Sequence, residues 1–139
     1  MEKRKLKPLL DRLYWSIVIA TSALMIPLTV VSFCHPIALI ITVSVDLFVL
    51  YFLVSPLFGY VELRQESVFI KFGFILKREI PYEKIRGLKK DRKFYSDSML
   101  SLKNAFEHVN IKYNTFDVIT VSVINNDEFI KEIEAKIIR

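Results

Sequence analysis

The densest chemistry in this 139-residue chain is the run Arg86-Gly87-Leu88-Lys89-Lys90-Asp91-Arg92-Lys93, five basic residues in eight with one acid. Phe94 and Tyr95 follow it directly. Cations beside aromatic rings suit an anionic lipid surface, where each basic side chain contributes ~1 kcal/mol and the rings enter the interface. The same run also reads as a solvated loop, and the sequence leaves both readings open. Nucleic acid fits less well. Residues 58–139 carry fifteen Lys/Arg against twelve Asp/Glu, a weak excess for a polyanion-binding domain, and no nucleic-acid partner is expected.

Little else in the chain has the makings of catalysis. His35 and His108 are far apart, and neither stands at metal-ligand spacing from a Cys or a second His. Gly59, Gly73 and Gly87 are too dispersed to build a phosphate-cradling loop, and no Ser-x-x-Lys pattern occurs. Ser96, Asp97 and Ser98 read as turn residues. The expectation is no catalytic residue, no metal site, no cofactor and no enzymatic activity. Cys34 is the single cysteine, so no intramolecular disulfide exists. It reads as an apolar or interfacial residue, with lipidation or intermolecular pairing as alternatives.

The elements that position these residues begin with a hydrophobic block. The chain is 53% hydrophobic with three Gly, and from Leu13 to Leu57 its only formal charge is Asp46. One spanning helix needs about 20 apolar residues; Tyr14–Phe33 and Ile37–Leu57 each supply them, with Cys34-His35-Pro36 as the turn. Pro27 should kink or loosen the first span. Asp46 falls near mid-depth, opposite Leu24–Met25, with Ser22 and Thr29 about a turn away on either side. A carboxylate there costs ~2.5–3.5 kcal/mol on insertion scales. It is read either as a protonated or hydrogen-bonded group facing the other helix, or as a contact for a membrane partner or peptide.

Lys3, Arg4, Lys5, Lys7 and Arg12 precede the block, whereas the turn carries no Lys or Arg. Basic residues resist translocation, so both termini are expected in the cytoplasm of a bacterial cell, with the turn outside. A cleaved signal peptide is the competing reading of such a start; the length of the block and the second span argue against it. The expected organisation is a basic cytoplasmic N-terminus over residues 1–12, a transmembrane hairpin over 13–57, and a cytoplasmic domain over 58–139.

Past Gly59 the hydrophobic period becomes two. Tyr60–Arg64, Val68–Phe72 and Phe74–Ile80 read as an antiparallel meander, and Val109–Tyr113 with Ile119–Val123 as a hairpin turning at Asn114-Thr115. A closing helix is predicted with Asn125 as cap and Glu128 completing the arrangement. Phe129, Ile130, Ile133 and Ile137 form its apolar stripe, and Glu132 and Lys136 an i,i+4 pair.

The order of these strands with Ile80-Pro81-Tyr82-Glu83-Lys84-Ile85, Ser101-Leu102-Lys103, Val109–Tyr113 and the closing Asn126-Asp127-Glu128-Phe129-Ile130 resembles bacterial PH-like domains of the YyaB type. One departure is Asn104–His108, which lengthens the link into the next strand. The resemblance implies an α+β fold: a two-helix transmembrane hairpin, then a small PH-like antiparallel sheet or half-barrel with a C-terminal helix. It implies no catalytic residues. SunI-type immunity proteins belong to that family and protect a producing bacterium from its own bacteriocin. The implied role is therefore non-enzymatic self-immunity at the cell membrane, with a bacteriocin, its target or another membrane protein as partner. The alternative is a lipid- or protein-binding scaffold that regulates another membrane complex. Under either role the bilayer is a partner and anionic head groups are candidate ligands.

Overall fold

Both apolar runs fold as helices: α1 over Arg12–Ser32 and α2 over Pro36–Val54, the latter continued by a 3-10 turn at Ser55–Phe58. A computed structural model describes residues 4–99 and 101–138 of the chain; Glu2 and Lys3, which belong to the basic flank, lie outside them. The 21 residues of α1 make a rod about 31 Å long, and the helix continues through Pro27. Asp11 caps it, its Oδ1 accepting from the Leu13 N–H at 2.8 Å. Pro36 occupies the first turn of α2, where its missing N–H leaves no bond unmade. Apolar side chains point outward all round both rods, Val31 at 74% and Ile37 at 77% exposure. Both helices are long and apolar enough to cross a membrane, and apart from Leu13 and Tyr14 at the start of α1 the described protein leaves them uncovered.

The remaining residues build two sheets. One has the order β1 (Arg4–Leu6), β2 (Tyr60–Leu63), β3 (Ser67–Lys71), β4 (Lys77–Pro81), all antiparallel neighbours. The other joins β5 (Ile85–Arg92), β7 (Glu107–Tyr113), β8 (Asp117–Val121) and β6 (Ser101–Leu102) in that order. β6 runs parallel to β8, so the second sheet is mixed. Val61, Leu63, Val68 and Ile70 of the first sheet and Val109, Ile111, Ile119 and Val121 of the second are buried in one core. The period-two alternation puts these residues on the inner faces. α3 (Asn126–Ile137) packs Phe129 and Ile133 into the same core. Among the stripe residues, Ile130 is partly buried against it and Ile137 is exposed.

The basic N-terminal flank takes part in the sheet. Arg4 pairs with Leu63 and Leu6 with Val61, so the hairpin of α1 and α2 is inserted between two neighbouring strands. Beyond β1 the chain crosses to the second sheet, where the Leu9 N–H donates to Ser122 O at 2.9 Å and the Ile124 N–H to Lys7 O at 3.3 Å. Arg4 also donates to Glu128 at 2.9 Å and to Glu132, fastening β1 to α3.

Several local expectations are corrected. Arg86–Lys93 is not a loop: through Arg92 it is β5, held in register by β7. The third strand begins at Lys77, and Phe74–Leu76 form the turn before it. Asn125 makes no side-chain bond to the helix backbone; its amide donates to Glu128 at 3.1 Å. The buried Asn126 instead accepts from the Val123 N–H at 3.0 Å. Glu132 and Lys136 do not pair with each other, because Glu132 takes Arg4 and Lys136 donates to Arg64 O at 2.9 Å.

Candidate functional site

The basic run is divided by the pleat of β5. Successive strand residues project to opposite faces, so Lys89 and Asp91 stand beside Asn110 and His108, while Lys90 and Arg92 lie on the side of Val109 and Glu107. Lys90 reaches α3, its Nζ 2.8 Å from Asp127 Oδ1 and 3.8 Å from Glu107 Oε2. Lys93 sits 2.9 Å from Asp91 and 3.7 Å from Asp97, and Lys89 is 4.0 Å from Asp91. The ammonium pKa values of Lys90 and Lys93 are pushed up, chiefly by the hydrogen bonds they donate to Asp127 and Asp91. The Asp91 carboxyl is held below its ordinary range by Lys93 first and the Arg92 N–H second. Arg86 falls at a register shift and donates from Nε to Asn114 O at 3.1 Å. Arg92 has no ion-pair partner among the described residues. The run thus forms two separate charge clusters, each containing acids.

Phe94 and Tyr95, 71% and 62% exposed, follow at the end of β5. Lys103 fixes this stretch, donating to Lys93 O at 2.5 Å and Tyr95 O at 2.7 Å; burial lowers its ammonium pKa. A polar ladder holds the next turn to the sheet. Thr120 donates to Asn110 at 2.7 Å, and Asn110 to Asp97 at 3.1 Å. His108 is buried in the second sheet with Nδ1 3.0 Å from Phe106 O, and His35 is at the helix turn.

Asp46 faces α1. Thr29 Oγ1 lies 2.5 Å from Asp46 Oδ2 and 3.0 Å from Met25 O, so one hydroxyl proton is divided between two acceptors. Ser32 and Thr42 meet at 3.0 Å one turn nearer the hairpin bend. A shallow groove of about 330 Å3 opens beside Asp46, lined by Ser22, Met25, Thr29 and Leu50 among others.

At the other end of the hairpin, Tyr14 donates to Leu53 O at 2.6 Å. Asp11 accepts from the Phe106 N–H at 2.9 Å as well as capping α1. The lengthened Asn104–His108 link therefore contains the docking point for the start of the hairpin. Gly73 is the second docking point: its φ is +150°, and a Cβ there would run into Ser55 at the end of α2. The Phe74 ring stacks 4.6 Å from Phe58 and 5.4 Å from Tyr51. Sequence reasoning missed Asp11 and Gly73 because each acts through a partner distant in the chain. The exposed triplet Phe74-Ile75-Leu76 was the available signal.

A family model described as Bacterial PH domain matches residues 59–137. Searches of curated proteins and of solved structures return no match. The matched stretch runs from the glycine preceding β2 to the end of α3, leaving out β1 and the hairpin. It takes in both sheets' remaining strands and the closing helix, in the order that encloses the core. The chain belongs to the bacterial PH domain family.

Proposed function

We propose that the hairpin spans a bacterial cell membrane and holds the PH-like domain at its cytoplasmic face as a non-enzymatic binding module. The carrying observation is the pairing of β1 with β2. One strand precedes the two helices and the other follows them, which supports a hairpin with both ends on one side of the bilayer. The uncovered apolar surface of α1 and α2 supports the same reading, since a helix apolar all round needs protein or lipid around it. Arg4, Lys5, Lys7 and Arg12 precede α1 and no basic residue lies in the Phe33–His35 turn, which favours the cytoplasmic side for the domain. In intact cells an impermeant maleimide should label Cys34 and leave Ile124→Cys, in a Cys34→Ser background, untouched. The reverse pattern would overturn the orientation.

The most concrete role is self-immunity to a bacteriocin. Its support is the combination of hairpin and PH-like domain with the resemblance to YyaB-type proteins, which include SunI-type immunity proteins. The domain would then bind the bacteriocin, its target or another membrane protein at the inner face. Expression in a sensitive strain should raise survival against at least one member of a bacteriocin panel; no protection across the panel would sink this role.

A scaffold that binds lipid or protein and regulates a membrane complex is the second reading. The observation favouring it is β4, an edge strand whose Lys77, Arg78 and Glu79 are exposed, where a partner strand can add. Charge reversal at Lys89, Lys90, Arg92 and Lys93 separates the two contact surfaces. Abolished association with the partner or with anionic vesicles assigns it to β5, and retained association counts against β5 and leaves the sheet edge.

A further inference from the structure

At the foot of the hairpin the chain reads Lys71-Phe72-Gly73-Phe74-Ile75-Leu76-Lys77. Lys71 and Lys77 are direct register partners of β3 and β4, so both side chains project from one face of the sheet. Lys5 of β1 joins them there. Its Nζ is 5.1 Å from the centre of the Tyr60 ring, and Lys71 Nζ is 5.8 Å from the same ring. Like charges directly opposite each other destabilise a sheet. Yet none of these three lysines has an ion-pair partner among the described residues. In β5, by contrast, Lys90 and Lys93 each have two acids within reach. The nearest acid across the ladder from Lys5, Glu62, is taken by Arg64, so the three sheet-one cations have no acid at ion-pair distance among the described residues.

The turn between Lys71 and Lys77 indicates what an anion for them would belong to. Phe74, Ile75 and Leu76 are exposed in succession, Ile75 at 75%. Phe74 stacks on Tyr51, which belongs to the last turn of α2. The apolar tip therefore lies alongside the end of the spanning helix rather than beyond it, and a bilayer around that helix would reach the tip as well. Lysines on both flanks can lay their methylene stems along the apolar boundary and keep their ammonium groups at head-group level.

We propose that the Phe74–Leu76 turn inserts into the leaflet on the domain's side, and that Lys5, Lys71 and Lys77 hold the phosphate of an anionic phospholipid above the Tyr60 ring. The inference rests on the reading of α1 and α2 as membrane spans. It places the lipid contact on the first sheet, away from the basic run of β5.

The test uses the purified full-length chain in nanodiscs of phosphatidylcholine containing a minor fraction of phosphatidylglycerol. Lipid retained after detergent exchange is measured by mass spectrometry. Lys71→Gln and Lys77→Gln should each lower retained phosphatidylglycerol about fivefold. Lys71→Arg with Lys77→Arg should restore it, and Lys112→Gln with Lys131→Gln, at exposed lysines outside both basic clusters, should leave it unchanged. An environment-sensitive probe on Ile75→Cys, in a Cys34→Ser chain, should report an apolar surrounding. Undiminished phosphatidylglycerol in the double variant Lys71→Gln with Lys77→Gln, or a probe at position 75 in water, overturns the proposal. If alkaline carbonate extracts the wild-type chain from membranes, the spanning reading fails and this site with it. A chain that stays in the membrane with undiminished lipid overturns the site alone.

Discussion

Thr29 on α1 and Asp46 on α2 are joined by a 2.5 Å hydrogen bond, which ties the only acidic residue of the hairpin to the other helix. Interhelical hydrogen bonds in bilayers average about 0.6 kcal/mol and reach about 1.7. Thr29→Val should therefore weaken hairpin packing by about 0.6–1.7 kcal/mol, measured as detergent-resistant stability of the purified chain. Asp46→Ala should insert more readily, relieved of ~2.5–3.5 kcal/mol. If it leaves both insertion and protection against a bacteriocin unchanged, Asp46 has no part in the mechanism.

Asp11 is expected to matter more than an ordinary helix cap. Losing a capping side chain costs ~1 kcal/mol, but Asp11→Ala also deprives the Phe106 N–H of its acceptor. Thermal unfolding in detergent should show a larger loss for Asp11→Ala than for Asp11→Asn, which keeps one acceptor. Equal losses would mean that the Phe106 bond contributes nothing.

Gly73→Ala should loosen the junction between hairpin and domain. A side chain is strained at φ +150° and also meets Ser55, and strain of this kind costs ~1–3 kcal/mol. Adding Ser55→Gly removes the collision and leaves the backbone strain. The double variant should recover part of the lost stability; full recovery would assign the whole effect to the collision.

Acid should destabilise the domain through its paired carboxylates. Glu79 is held below the ordinary range by the Ser67 hydroxyl and then by Arg64, and Glu128 by Arg4 and then Asn125. A carboxyl depressed in the folded state contributes stability above its unfolded pKa, and that contribution is lost as pH falls through the folded value. The midpoint of thermal unfolding should thus decline once pH drops below 4.5. The decline should be shallower in Ser67→Ala, where Glu79 loses its first hydrogen bond. An identical acid limb in both proteins would remove Glu79 from the account.

The parts of the fold legible in the sequence are those whose pattern is local. The hairpin shows as a long stretch with one charge, and β7 and β8 show as clean alternation. β5 is hidden because its own residues are mostly charged; its order comes from the ladder with β7, which overrides local preference. β1 offers three residues with two charges, and its partner lies beyond both spans. The basic run is visible as a sequence feature, but of its neutralising acids only Asp91 lies within it; Asp127 comes from α3, Glu107 from β7 and Asp97 from the turn after β5, so much of its charge balance is tertiary. Lys136 illustrates the same rule. Its expected partner is one turn away, yet Arg64 O and the Tyr82 hydroxyl take it, in a pocket where burial first and Glu132 second push the Tyr82 pKa up to about 12.

The insertion of the hairpin between β1 and β2 also sets a schedule for synthesis. Residues 4–6 are made first, but their partners at residues 61–63 emerge only after both helices. Closing so long an interval is slow compared with forming the local β7–β8 hairpin. On the proposed reading of the hairpin as a membrane anchor, the first strand waits unpaired while the helices insert. If the hairpin spans a membrane as proposed, a chain whose helices fail to insert should leave its sheet open at that edge. Protease cleavage near Lys5 during pulsed synthesis should persist until insertion is complete; protection before that point would refute the order. With the hairpin as the proposed anchor, completion of the domain then reports that the anchor is set.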